Sequence, residues 1–346
     1  MSGLPTYTLS GMVYIASDIH LGPHIPLTNQ TFFQFLKRAA TEANALVLVG
    51  DVFNVWFGDD IAINSHEPWL QQSLSALRDC AKQIPVYLVH GNRDFLIGKQ
   101  LCQSLGITLL PEQSLLHTDA GVILLSHGDE LCTQDKAYMR FRRVLRMQWL
   151  QHLFLTLPFS WRRGIAHYLR NRSEQSHAIT GQYPATPITE ESLHSEQSHA
   201  IARQYPQVHN TLSSNSSRVE TPLTEVQPIT VATETPSSTS YTSYDIASET
   251  LVQIISEYPE IDFVIHGHTH RPAVHAIPKL DSKTRWRYVL SDWELDHGKA
   301  HWGFIAVNHG GIHVHSTMPL PATHHPTNDA TSQTSPCHSL PSHDQL

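Results

Sequence analysis

Three short apolar runs, at 12–16, 45–49 and 86–89, each stop on a polar cluster, and helical periodicity over 32–43 and 69–82 fills the intervals. The clusters are Ser17-Asp18-Ile19-His20, Gly50-Asp51 and Gly91-Asn92-Arg93-Asp94. Apolar strands separated by helices read as buried and parallel, because a parallel crossover needs about a dozen residues, usually a helix. The order β-α-β-α-β therefore predicts an α/β fold. Polar residues at the carboxyl ends of such strands fall where open α/β sheets build their sites.

Strand patterns return at 121–125, 263–266, 288–290, 302–307 and 311–315, with Asn308-His309-Gly310-Gly311 as a hairpin turn. They point to a second sheet. Residues 173–243 interrupt the pattern: the segment is dense in Ser, Thr and Pro and has no apolar period. It cannot bury enough surface to offset a chain entropy of about 1–2 kcal/mol per residue, so it reads as a disordered, low-complexity insertion. The heptapeptide at 173–179 recurs at 195–201, too few copies for a solenoid. Residues 319–346 read as a disordered tail. The organisation expected is a core of 12–135 and 244–316, with 136–172 inserted as a separate unit.

Charge is unevenly placed. The net charge of −8 argues against a general nucleic-acid binder, yet 136–172 holds nine Lys and Arg and no acid. There the bases interleave with Phe141, Val144, Leu145, Trp149, Leu153, Phe154, Phe159 and Trp161, and Pro158 splits the stretch into at least two helices. A basic amphipathic helical cap of this kind suits an anionic membrane surface, or forms a lid over acyl chains. An amphipathic hairpin with a solvated Arg face gives the same pattern. Nothing in the chain points to a protein partner. Four cysteines without a close pair indicate a reducing compartment. The first residues lack a basic leader, and no run reaches the roughly 18–20 apolar residues of a membrane span. The expected place is the cytoplasmic side of a membrane, bound peripherally.

Five segments offer metal ligands at strand ends: Asp18-x-His20, Gly50-Asp51, Gly91-Asn92, His127-Gly128-Asp129 and His266-Gly267-His268-Thr269-His270. In extended chain, period two would bring Asp18 and His20 to one side, and likewise His268 and His270. Imidazole with carboxylate, and no Cys, suits Mn, Fe or Zn. Asp18, His20, Asp51, Asn92, His127, His268 and His270 are too many for one tetrahedral ion and suit two ions sharing a carboxylate.

This ordered set resembles the calcineurin-like metallophosphoesterases. The resemblance covers about 12–173 and 244–316. It implies a four-layer α/β/β/α sandwich with an inserted helical cap and a two-metal centre, usually manganese. By the resemblance, Asp18, His20, Asp51 and His270 hold one metal, and Asp51, Asn92, His127 and His268 the other. Asn92, Arg93, Asp135, Tyr138, Ser173 and His268 would contact substrate, and Asp51, Asn92 and Arg93 would serve catalysis. The tracts Gly50–Asp60, His90–Leu96 and His127–Thr133 resemble a narrower branch of the family, which acts on UDP-2,3-diacylglucosamine in lipid A synthesis. The activity implied is hydrolysis to UMP and 2,3-diacylglucosamine 1-phosphate, by a hydroxide between the metals attacking the UMP-side phosphorus. Arg93 agrees: many phosphodiesterases of the superfamily have His there to protonate an alkoxide, whereas a cation suits a second phosphate. Two departures stand out. Pro236 and Thr239 fall where the branch has a substrate-binding Asn and Lys, and Asn54 falls where an acid is usual. A phosphoesterase for a soluble nucleotide and an inactive binding scaffold are the competing readings.

Overall fold

The structure is a computed structural model and describes residues 3–166, 168 and 245–317. The insertion, the tail, and with them Ser173, Arg170, Arg172, Pro236 and Thr239, lie outside the described residues. The strands are β1 (Thr6–Leu9), β2 (Val13–Ala16), β3 (Ala45–Val49), β4 (Val86–Val89), β5 (Ile107–Leu109), β6 (Gln113–Thr118), β7 (Gly121–Ser126), β8 (Phe263–His266), β9 (Ala273–Ile277), β10 (Arg285–Val289), β11 (Gly303–Asn308) and β12 (Gly311–Ser316). The helices are α1 (Pro26–Glu42), α2 (Ile61–Asn64), α3 (Pro68–Ala81), α4 (Lys99–Leu105), α5 (Lys136–Leu145), α6 (Gln148–Leu155), α7 (159–166) and α8 (Ser248–Glu257).

Two six-stranded sheets form, in the orders β12-β11-β2-β3-β4-β5 and β1-β6-β7-β8-β10-β9. The first is parallel from β2 to β5, as the alternating pattern requires, and β11 closes its other side antiparallel to β2. In the second, β7, β8 and β10 are mutually parallel. The return strands thus divide between the sheets: 302–307 and 311–315 belong to the first, with the 308–311 hairpin in place.

Pleating sorts the side chains into layers. Val13 and Ile15, Val47 and Val49 meet Leu116, Ile123, Leu125 and Ile265 between the sheets. Tyr14, Ala16, Leu46 and Leu48 point the other way, onto Phe32, Phe35, Leu36, Leu70 and Leu74 of α1 and α3. On the far face Leu124 and Val264 pack on Leu251 and Ile255 of α8. The result is an α/β/β/α stack.

Helix α1 starts at Pro26, well before the periodicity at 32. Proline suits the first helical position because its missing N–H needs no partner there. The other free amides are served from far away: Asp296 accepts from the N–H of Leu27 at 3.0 Å and of Thr28 at 2.9 Å. The expected break at Pro158 separates α6 from α7, and a second break follows Leu145. Phe141, Val144, Trp149, Leu153 and Trp161 are exposed on these helices. Not every base is. The guanidinium of Arg162 is buried against Asp60 and donates to the Phe57 carbonyl at 2.8 Å. Among the described residues, no helix is long and apolar enough to cross a membrane.

Candidate metal centre

Because β2, β3 and β4 are parallel neighbours, their carboxyl ends align, and so do those of β7 and β8. The loops that follow carry Asp18 and His20, Asp51, Asn92, His127, and His268 and His270. All meet at one edge of the stack.

They do not meet through strand alternation. Asp18, His20, Asp51, His268 and His270 lie at φ +54°, +57°, +52°, +66° and +52°. They are the only non-glycine residues in the left-handed region among those described. Each such residue costs an L-amino acid about 1–2 kcal/mol, and such strain persists only where the surroundings hold it. Here the loops hold one another. Asp18 N–H donates to Gly50 O at 3.1 Å, His20 N–H to Asp51 O at 3.0 Å, and Gly267 N–H to His127 O at 2.9 Å. Buried Asp94 ties two loops, accepting from Gly91 N–H at 2.9 Å and Val52 N–H at 2.8 Å. The approach leaves no room for side chains: a Cβ on Gly50 would lie 2.6 Å from Gly91 Cα, and one on Gly91 would lie 2.1 Å from Asp51 Oδ1.

The potential ligand atoms fall into two overlapping groups, Asp18–His20–His270 and Asp18–Asp51–His127, each within 4.8 Å of one another. His270 Nε2 is 3.1 Å from Asp18 Oδ1 and 3.3 Å from His20 Nε2. Asn92 Oδ1 stands between His127 Nε2 at 3.0 Å and His268 Nδ1 at 3.1 Å. Asp18 Oδ2 is already engaged, by Ser17 Oγ at 2.5 Å and His268 N–H at 3.0 Å, so Oδ1 is the oxygen turned toward the imidazoles.

The donor set fits cations. Val49 O can only accept, so His127 donates to it from Nδ1 at 2.8 Å. In its neutral, ligating form the ring presents a lone pair from Nε2 to two further oxygens, Asn92 Oδ1 at 3.0 Å and Asp51 Oδ1 at 3.7 Å. Lone pairs facing lone pairs repel unless positive charge lies between them. Without a cation, a proton on the imidazole takes that place. Burial lowers the His127 pKa, but the Asp51, Asp18 and Asp129 carboxylates outweigh it and push it up to about 9. Burial, with charged His127 beside it, pulls His268 down to about 3. Burial raises Asp51, and its neighbour Asp18 adds to that; His127 and Arg93 offset it only in part. Two dications would satisfy every one of these groups in its ligating, deprotonated form.

Of the expected substrate contacts, Arg93 lies beside the cluster, its Nε 3.4 Å from Asp51 Oδ2. Its Nη1 donates to Asn54 Oδ1 at 2.9 Å. This gives Asn54 a role: an amide orients the guanidinium without neutralising it, as an acid would. The Tyr138 ring lies 5.9 Å from that of His268, and its hydroxyl donates to Asp129 Oδ2 at 3.0 Å. Asp135 caps α5, accepting from Tyr138 N–H at 2.9 Å. Sequence reasoning missed Asp292, whose Oδ2 is 3.4 Å from His270 Nδ1 and whose Oδ1 is 3.1 Å from His301 Nε2. Its signal was present, since Ser291-Asp292 follows the short apolar run 288–290, much as the other clusters follow theirs. A carboxylate on the far nitrogen of a metal-ligating histidine fixes the tautomer and turns Nε2 to the ion.

Comparison with known proteins agrees with this geometry. The chain is 35% identical over 305 residues to the UDP-2,3-diacylglucosamine hydrolase of Bordetella parapertussis, covering 88% of this chain and 94% of that protein. It is 33% identical to the protein of that name from Ralstonia nicotianae, with 87% and 91% covered. The one from Proteus mirabilis is 32% identical, with 81% and 90% covered. The profile of the calcineurin-like phosphoesterases matches residues 12–272, which include all seven ligand candidates, and the chain belongs to that family.

Proposed function

We propose that the chain hydrolyses the pyrophosphate bond of UDP-2,3-diacylglucosamine to UMP and 2,3-diacylglucosamine 1-phosphate, a step of lipid A synthesis. The observation that carries the reading is Arg93 set against Asp51 at the ligand cluster, where a pyrophosphate presents a second phosphoryl group. The relatives' shared name supports it. Two Mn2+ per chain are the proposed cofactors, one held by Asp18, His20, Asp51 and His270, the other by Asp51, Asn92, His127 and His268. When bound, such ions supply Lewis acidity and acidify water.

The residues do the rest. Arg93 neutralises the second phosphate, since a guanidinium fork fits phosphate oxygens, and Asn54 keeps that fork aimed. The Asn92 amide and the His268 imidazole, 3.1 Å apart, would contact the scissile group, with Tyr138 beside His268. Asp135 contributes through the start of α5, and Ser173 remains a proposed contact. No general acid is assigned, because a sugar phosphate is a good leaving group. The unit 136–172 is proposed as a cap on the core 12–135 and 244–316. Its exposed Trp149, Leu153 and Trp161, with Arg140, Arg143 and Arg163, would receive acyl chains and rest on the anionic cytoplasmic face of the inner membrane.

The test is hydrolysis in H2 18O with Mn2+ and then with chelator. Label in UMP, loss of turnover on chelation and a strong preference for the acylated substrate are expected. Label in the sugar phosphate would overturn the site of attack. Equal rates on unacylated UDP-sugars would favour a soluble-nucleotide enzyme.

A further inference from the structure

Arg142 of α5 and Arg146 at its C-cap turn inward, and both grip loops of the centre. Arg146 donates from Nη2 to the Gly91 carbonyl at 2.9 Å, and its guanidinium carbon lies 5.0 Å from the centre of the Phe95 ring. Gly91 and Phe95 bracket Asn92 and Arg93. Arg142 donates from Nε to Asp129 Oδ2 at 2.7 Å. Asp129 is buried and stands two residues beyond His127. Glu112 ties the two cations together, 2.9 Å from Arg142 Nη2 through Oε2 and 2.9 Å from Arg146 Nη1 through Oε1.

The loop so gripped has little freedom to compensate. Arg93 N–H donates to Asp51 Oδ1 at 2.8 Å, and the Gly91 backbone leaves no space beside the same carboxylate. A shift of a few tenths of an ångström would move Asn92 relative to Asp51 and His127. The other ligands are held differently, Asp18 by Ser17 and His270 by Asp292.

We propose that Arg146 and Arg142 are positioning residues for the half of the centre formed by Asn92, His127 and His268, so that seating of α5 sets how tightly that half holds its metal. The proposal rests on the two-metal reading above. It also explains why arginine stands at 146: one planar fork serves a carbonyl, a carboxylate and an aromatic face together, which a lysine ammonium cannot.

The test is a titration of the full chain with Mn2+, read by the electron paramagnetic resonance of the free ion. The wild-type chain should take up two ions. In Arg146→Ala, one class of site should weaken by about 10–100-fold, the usual effect of losing a group that orients ligands, while the other stays within about twofold. Arg146→Lys should fall between. Glu112→Gln, on a half-exposed side chain, loosens both arginines without touching the loops and should weaken the same class several-fold; it decides the matter if Arg146→Ala does not fold. Lys99→Ala removes an exposed cation just past the same loop and should leave both classes unchanged. Wild-type affinity at both sites in Arg146→Ala, or equal weakening of both, would overturn the proposal. A wild-type chain that does not bind two ions would instead remove the two-metal reading.

Discussion

Replacing Asp51 with Asn separates what the carboxylate does for chemistry from what it does for the fold. Asp51 is buried, with Oδ1 3.7 Å from His127 Nε2 and Oδ2 3.4 Å from Arg93 Nε. Loss of a single group that stabilises developing charge costs about 10²–10³ in turnover. As the ligand proposed to serve both ions, Asp51 should cost at least about 10³ with Mn2+ supplied. Stability should move the opposite way. In the metal-free protein burial holds the Asp51 pKa above its ordinary value, and the Asp18 charge adds to this. A carboxyl whose folded pKa is raised supports the fold while protonated and loses that support as pH climbs above the unfolded value near 3.8. Asparagine has the same shape, keeps an oxygen for the Arg93 N–H and cannot ionise. Removing one buried, repelled charge is worth about 1 kcal/mol or more, roughly 2–4 °C in Tm for a domain of this size. Asp51→Asn and wild type, both in chelator, should therefore melt alike near pH 4, and the variant should gain as pH approaches 7. Thermal melts across that range read the difference. A variant that melts lower at pH 7, or retains turnover within tenfold of wild type, would refute the reasoning.

Other residues give independent checks. Asp292→Asn should weaken metal binding about 10–100-fold at the half held by His270, measured by metal content after dialysis, with the fold intact. A Cβ on Gly58, at φ +131°, would lie 2.3 Å from Arg162 Nη1, so Gly58→Ala should undock α7. Limited proteolysis should then cut within 156–166 well before the core. Replacing exposed Trp149 and Trp161 with Ser should lower partition onto vesicles containing anionic lipid about tenfold or more, while hydrolysis of a detergent-dispersed substrate changes less.

Strands β2, β3 and β4 were legible because they are apolar on both faces and end in polar clusters. Strand β1 was not: three of the four residues of Thr6–Leu9 are exposed or half-buried, and the strand exists by pairing with β6 more than a hundred residues away. The start of α1 was hidden for a related reason, since its amides are served by Asp296. At the site, the types and order of the ligands could be read, but the alternation argument for Asp18 with His20 was wrong. Their convergence depends on left-handed backbone that only the interlocked loops sustain. The basic stretch shows the reach of composition most clearly. Lys136, Arg140, Arg142, Arg143, Arg146, Arg162 and Arg163 look equivalent in sequence, yet Arg142, Arg146 and Arg162 face the core and clasp Asp129, Glu112 and Asp60. Nothing local in the chain distinguishes them, because their partners come from other loops.

Spectroscopy of the Mn-loaded protein addresses the shared carboxylate most directly. Two ions bound to one Asp51 should give two Mn2+ per chain and an exchange-coupled, multiline paramagnetic signal. One ion per chain, or two giving only the six-line pattern of isolated Mn2+, would contradict the account.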